Sequence, residues 1–336
     1  MKNSFRVALV GCGAISGNHI KAILAAGQTL CALCDVDTSR TRATLEKYAL
    51  GDLPCYTDYV ALLQQEHPDA VHICTPHDLH APMITEALKR GIHVLCEKPL
   101  CISIDELKAL RQTVAESTAQ LGICFQNRYE PTMLRLKELA KGGVRGGYAT
   151  VVWKRDEAYY RSGAWRGTWK HEGGGVMINQ AIHTLDILQW VCGFPTHVTA
   201  HISNDHLQNV IEVEDTATAL FETAGGQKLH FFATTAASTD FPVQLNLRLA
   251  SGEVVFATNN LLLTDAGKRA DGSAGEAEEL IGKSVWGTGH KRLIADFYAH
   301  LRAGTPFPIG LEEAEKVNRL VLAMYQSQGK RIEISM

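Results

Sequence analysis

Several classes of protein are excluded by what this sequence lacks. It has no apolar segment approaching the roughly 18 residues of a membrane-spanning helix, and its opening Met1-Lys2-Asn3-Ser4-Phe5-Arg6 leads straight into a strand-like run. Neither a signal peptide nor a membrane partner is expected, and the chain is expected to be cytoplasmic. An excess of either charge is missing too. The 33 Lys and Arg are scattered and balanced by 36 Asp and Glu, so there is no electrostatic footprint for nucleic acid. A disulfide framework is absent: the nine cysteines are odd in number and lie in apolar segments such as Ile73-Cys74-Thr75, which suits reduced, buried thiols. Cys31 and Cys34 form a C-x-x-C, but within a predicted strand positions three apart face opposite sides, so neither a chelate nor a redox pair is natural there. No internal repeat is evident.

What is present suffices for two domains with a sizeable core: 336 residues, 46% hydrophobic and 21% charged. Phe5 to Val10 is an apolar run. Gly11-Cys12-Gly13-Ala14-Ile15-Ser16-Gly17 follows, then a helical pattern through Ile20, Ile23 and Leu24 to Gly27. A second apolar run, Leu30 to Cys34, ends at Asp35, 18 residues beyond Gly17. A glycine loop between strand and helix, with an acid closing the next strand, is the arrangement that binds a dinucleotide. Gly11 permits the tight turn, Gly13 lets the backbone approach a pyrophosphate, and Gly17 lets the helix press on the strand. Ala14 and Ile15 form the loop between them, and N–H groups at the helix start face the phosphates. Asp35 would accept from the adenosine ribose hydroxyls and repel a 2′-phosphate, which favours NAD; Arg40 nearby keeps NADP possible.

The alternation continues with a helix near 58–66, a strand 70–74, a helix 81–90, a strand 92–96, a helix capped by Ser103 with Glu106, and a strand 123–125. This predicts an α/β fold with a doubly wound parallel sheet over residues 1–125. Ligands collect at the carboxyl ends of such strands. Two polar clusters lie there, Thr75-Pro76-His77-Asp78-Leu79-His80 and Glu97-Lys98-Pro99. The histidines lack a third well-spaced ligand, so the first cluster reads as a cofactor-lining loop and no metal is expected. Lys98 emerges where a nicotinamide should lie, and a lysine there can hydrogen-bond a reacting oxygen.

Residues 126–336 change to β-branched alternation, as in Ala149 to Trp153, Ala217 to Phe221, Leu229 to Phe232 and Val243 to Leu249, which predicts a large, open, mostly antiparallel sheet. Residues 264–282 read as an exposed loop, and two helices, 291–301 and 311–326, close the chain. Tyr159, Tyr160, Arg161, Trp165, Arg166 and Trp169 form an aromatic and basic cluster that suits either a sugar or polyol, with its apolar C–H faces and hydroxyl rim, or loop packing. The stretch Glu172 to Trp190 opens with three glycines and turns helical. Asn179, His183 and Asp186 then fall at i, i+4 and i+7 as a polar ladder over an apolar back of Met177, Ile178, Ala181, Leu185 and Leu188.

Together, the glycine loop, Ile73-Cys74-Thr75-Pro76 with His80, Cys96-Glu97-Lys98-Pro99, and the Gly173-Gly174-Gly175 to Asp186 helix resemble the glucose-fructose oxidoreductase, inositol dehydrogenase and MocA (Gfo/Idh/MocA) family over nearly the whole chain. The resemblance implies an N-terminal Rossmann domain and a C-terminal α/β domain that binds substrate and, through its sheet, forms a homodimer or homotetramer. It implies that Lys98 and His183 flank the reacting hydroxyl, that Trp165 contacts substrate, and that Arg166 binds cofactor. Asn179, Arg128 and Tyr159 would orient the substrate; Thr75, Pro76, His80, Glu97 and Lys98 would line the cofactor. Members often carry aspartate where this chain has Asn179 and glycine where it has Ala181. Asparagine cannot ionise, so proton transfer falls to His183 with Lys98, a pattern nearer sugar-oxidising relatives than inositol dehydrogenase. The expected activity is NAD-dependent hydride transfer from a secondary alcohol of a sugar, glycoside or polyol. Alternatives are an NADP(H)-dependent keto-sugar or dihydrodiol-type enzyme, and a non-catalytic dinucleotide sensor.

Overall fold

A computed structural model describes residues 4–265, 270 and 288–336. The chain forms two compact units, one from residues 4–126 with 288–314, the other from 127–265 and 270 with 315–336. The first unit begins β1 (Arg6–Val10), α1 (Ser16–Ala25), β2 (Thr29–Cys34), α2 (Thr38–Tyr48), β3 (Cys55–Tyr56), α3 (Tyr59–Glu66) and β4 (Ala70–Ile73). It continues through α4 (His80–Lys89), β5 (His93–Cys96), α5 (Ile104–Glu116) and β6 (Leu121–Ile123). The sheet order is β3-β2-β1-β4-β5-β6, every pairing parallel. Helices cover both faces, which is why Val7 to Val10 and Ala70 to Ile73 are buried without alternation. Side-chain caps start the helices: Asp37 accepts from Ser39 N–H, Asp58 from Ala61 N–H, and Ser103 from Glu106 N–H.

The second unit holds α6 (Pro131–Leu139), β7 (Val144–Val152), α7 (Glu157–Arg161), a π-helical turn at Val176–Gln180, and α8 (Ile182–Cys192). Then come β8 (His197–Ser203), β9 (Thr216–Glu222), β10 (Lys228–Thr234), β11 (Gln244–Leu249), β12 (Val254–Ala257) and β13 (Leu262–Thr264). After α9 (Gly289–Ala303), the chain ends with α10 (Leu311–Ser327) and β14 (Ile332–Glu333). The eight strands order as β13-β12-β11-β7-β10-β9-β8-β14, antiparallel except for β10 on β7. The π turn and α8 pack on one face of this sheet. Ala149, Val151, Leu229 and Phe231 are buried, whereas Tyr148 and Phe232 alternate with them and are exposed.

Two readings change. The loop expected over 264–282 lies almost entirely outside the described residues. Helix α9, expected to follow the sheet domain, instead packs along α1 of the first unit. Its buried Leu293, Ile294, Phe297 and Tyr298 supply the reason, since Phe297 and Phe307 close over Gly122 of β6 at distances a side chain there would violate.

Candidate active site

In the first unit the predicted cofactor residues gather at the carboxyl ends of the parallel strands. Gly11 has a positive φ of 90°, and a Cβ there would lie 2.4 Å from the Cys74 carbonyl oxygen, so only glycine lets the loop cross the end of β4. Gly13 and Ala14 are exposed at the loop tip, with open space beyond Gly13. Gly17 has a different duty from the one expected: its close neighbour is the Tyr48 hydroxyl of α2, not the strand. Asp35 is buried, with Oδ2 accepting from Cys12 N–H at 2.8 Å and Oδ1 from Asp37 N–H at 3.0 Å. Each oxygen keeps a further lone pair for a ribose hydroxyl. Arg40 lies 3.5 Å from Asp37 in an exposed pair, which draws it toward that carboxylate.

Thr75, Pro76 and Lys98 are half-exposed, and the Lys98–Pro99 peptide is cis. His80 departs from its expected role. It is wholly buried, with Nδ1 2.7 Å from the Pro99 carbonyl and Nε2 3.0 Å from the Thr75 carbonyl. It therefore sits between the two strand-end loops, its single N–H in the neutral form bonding one of the two carbonyls, instead of lining a ligand surface. Glu97 is also buried, at 6% exposure. Its Oε1 lies 3.0 Å from Nε2 of His19 and 3.0 Å from Nε2 of His290. His19 Nδ1 contacts His72 Nδ1 at 2.8 Å, and His72 Nε2 contacts the Tyr298 hydroxyl at 2.8 Å. The sequence reading missed this cluster; the buried-strand position of His72 and the helix position of His19 each look like ordinary core histidines.

Burial lowers the pKa of His19, His72 and His80, that of His72 well below the ordinary 6.5. Burial alone would raise Glu97, but hydrogen bonds from His19 and His290 hold it well below the usual carboxylate value of 4.5. All four shifts have one sign for stability. Unfolded histidines take up protons as pH falls through 6.5 while the folded ones stay neutral, and unfolded Glu97 takes one up below 4.5 before the folded carboxylate does. The melting temperature of the first unit is expected to fall steadily from pH 7 to pH 4.5. Equal melting transitions at pH 7.5 and 5.0 in scanning calorimetry would refute this. Glu214, in the second unit, acts oppositely: burial pushes it up to about 7, so its contribution is present at acid pH and is lost between 4.5 and 7.

In the second unit the expected continuous helix is broken. Gly175 and Met177 N–H donate to the Glu214 carboxylate at 2.9 and 3.0 Å, and Val176 N–H to the Glu214 carbonyl at 3.1 Å. Ala181 N–H then reaches back five residues to Val176 O at 2.8 Å. This widens the first turn to π geometry before α8 begins, so Asn179 is offset from the line through His183 and Asp186. The glycines are needed because a Cβ on Gly175 would meet the Glu214 carbonyl oxygen at 1.9 Å.

Asn179 and His183 are half-exposed. The Asn179 amide nitrogen donates to Glu172, which is fully buried and also accepts from Gly167 N–H. That nitrogen lies 3.4 Å from the Tyr159 hydroxyl as well. A carboxylate accepts only, so the amide is oriented with its nitrogen toward Glu172. Arg166 stacks on both Tyr159 and Trp165, 4.4 and 4.5 Å from their ring centroids, and donates to the Tyr159 hydroxyl at 2.5 Å. Tyr159, Trp165, Arg166 and Asn179 thus form one group. Tyr160 keeps an edge contact with Tyr159, 5.0 Å between ring centroids, while packing behind it on Leu207, Ile211 and Val213; Trp169 is instead tied to Glu212. Arg128 and Asp186 also change role. Arg128 Nε and Nη2 donate to Asp186 at 2.7 and 2.6 Å, and both side chains are buried. With two of its donors committed to Asp186 on α8, Arg128 holds that helix.

A parallel sheet with this glycine loop and acid defines a dinucleotide-binding oxidoreductase. The family model described as the oxidoreductase family with an NAD-binding Rossmann fold matches residues 5–125, and the GFO/IDH/MocA C-terminal domain matches residues 133–255. The chain belongs to the Gfo/Idh/MocA family and binds NAD. It is 29% identical to D-glucoside 3-dehydrogenase of Escherichia coli K12 over 98% of this chain and 97% of that protein. The WlbA dehydrogenase of Chromobacterium violaceum, solved with NADH and UDP-GlcNAcA, superposes with a TM-score of 0.88 at 26% identity, covering 100% of this chain and 97% of that one. A levoglucosan dehydrogenase solved with NADH and levoglucosan has the same fold, with a TM-score of 0.86 at 18% identity over 99% and 100% of the two chains. No helix among the described residues is long and apolar enough to cross a membrane.

Proposed function

We propose that the protein oxidises a secondary alcohol of a sugar, glycoside or polyol with NAD. The observation that carries this reading is the group around Asn179. Two aromatic faces with a guanidinium between them, an oriented amide and the nearby helix carrying His183 suit a ligand with apolar C–H faces and a hydroxyl rim. The glucoside and levoglucosan dehydrogenases among its relatives support the same substrate class. Bound NAD supplies the hydride acceptor. His183 takes the hydroxyl proton as general base, and Lys98 donates a hydrogen bond to the oxygen as alkoxide character develops. Asn179, Trp165 and Tyr159 orient the ring. Arg166 is set against Tyr159 and Trp165, so its expected cofactor contact would be made from within that stack. The protein is further read as cytoplasmic and as a homodimer or homotetramer through the sheet face that exposes Tyr148 and Phe232.

The test is NADH formation over a panel of glycosides, aldoses and inositols, run with NAD and NADP on protein whose mass is measured by light scattering. Turnover with at least one glycoside or sugar, preference for NAD, and a mass of two or four times 36.8 kDa are expected. Silence across the panel with tight NAD binding would favour the sensor reading. A tenfold preference for NADP would overturn the role given to Asp35.

A further inference from the structure

With Glu97 ionised and accepting, the contacts around it form an unbroken chain of donors. Glu97 Oε1 accepts from His19 Nε2–H and His290 Nε2–H; His19 Nδ1 is then an acceptor and must receive from His72 Nδ1–H. His72 Nε2 is in turn an acceptor and receives from the Tyr298 O–H. Every donor in this arrangement points toward Glu97, which carries the negative charge. In that arrangement a proton added to His19 would enter at Nδ1 against the His72 N–H, and one added to His72 would enter at Nε2 against the Tyr298 O–H, so each would require a donor to turn away. His290 Nδ1, buried and without a hydrogen-bond partner among the described residues, would be an orphaned donor there if it took one. The three ligand-type atoms lie within 4.8 Å of one another, but a metal ion there would reverse the chain and orphan that same Nδ1–H. Nearby thiols do not carry the charge either: burial, then the charge of Glu97, pushes Cys74, Cys96 and Cys124 well above the ordinary thiol value.

This locked anion has a particular address. Asp35 ends β2, the glycine loop follows β1, Thr75 follows β4, and Glu97 and Lys98 follow β5. The order β2-β1-β4-β5 therefore runs from the adenosine end of a bound dinucleotide toward its nicotinamide end. Oxidised nicotinamide is cationic and the reduced ring is neutral. A lysine beside that ring would by itself disfavour the oxidised form.

We propose that Glu97 is a fixed, buried counter-charge that favours NAD⁺ over NADH beside Lys98. His19 and His290 are positioning residues that keep it ionised. The proposal rests on NAD binding by the first unit and not on the identity of the substrate, so failure of the sugar panel leaves it standing. Its test is the ratio of dissociation constants for NAD⁺ and NADH, measured by NADH fluorescence titration and by competition with NAD⁺. In Glu97→Gln the ratio is expected to shift roughly tenfold against NAD⁺, the size of a unit charge felt across about 10 Å at an effective dielectric near 20. A purely structural role would weaken both forms alike and leave the ratio within twofold of wild type, which overturns the proposal. His290→Leu removes one of the two donors and keeps the carboxyl, so a smaller shift in the same direction is expected. If Glu97→Gln does not fold, an unchanged ratio in His290→Leu overturns it equally.

Discussion

His183→Ala is expected to lower turnover by about 10²- to 10⁴-fold, the usual contribution of a positioned general base, with NAD⁺ and NADH affinity within about twofold of wild type. The separation follows from the architecture. His183 lies in the first turn of α8 in the second unit, whereas the glycine loop, Asp35 and Thr75 belong to the first. Removing the imidazole leaves the Ile182, Leu185 and Leu188 packing of α8 in place, since those residues face the core and are fully or almost fully buried. Steady-state rates on whichever sugar the panel identifies, beside a fluorescence titration with NADH, check both halves. Turnover within threefold of wild type would remove His183 from the mechanism and pass the proton to another group.

The largest expected effect on stability is at Arg128. Its guanidinium makes two hydrogen bonds to Asp186 with both side chains buried, and it lies 5.4 Å from the Trp190 ring centroid. Arg128→Ala takes both guanidinium donors away from the Asp186 carboxylate in the core, while Gln189 Nε2 still faces it at 3.2 Å. Breaking a buried pair from one side costs about 3–5 kcal/mol, which for a unit of this size lowers the melting temperature by roughly 10 °C. Replacing both partners, as in Arg128→Met with Asp186→Leu, should recover most of the loss, because no unpaired charge then remains in the core. A melting temperature of Arg128→Ala within 2 °C of wild type would show that the pair does not hold α8. The same variant should also lower kcat, since displacing the helix that carries His183 moves the general base from its position.

The dinucleotide half was legible because its signals are local. A glycine whose φ must be positive, an acid closing a short strand, and a side-chain cap before an apolar 3.6-residue period each occupy a few neighbouring positions, and each survives in the structure at Gly11, Asp35 and Ser103. Strands β7, β9, β10 and β11 were likewise visible as period-two alternation. β8, β12, β13 and β14 were not singled out; three of them, β12, β13 and β14, are four residues or fewer, too short to establish a period.

The sequence by itself determined the strand and helix alternation around the glycine loop, the cofactor class and the motifs bearing Lys98 and His183. What only the tertiary structure decided are the partners. Glu97 meets His290 from 193 residues away and His19 from 78, Arg128 meets Asp186 from 58, and Glu214 meets Gly175 from 39. Periodicity reports which face of an element is apolar, but it carries no information about which distant side chain will satisfy a buried charge. That is fixed when α9 returns to α1 and when Glu214, just before β9, reaches the glycine turn. The expected polar ladder on the Glu172 to Trp190 stretch failed for this reason. Its backbone was bent by a carboxylate, and its last rung was taken by an arginine, neither of which lies within the stretch.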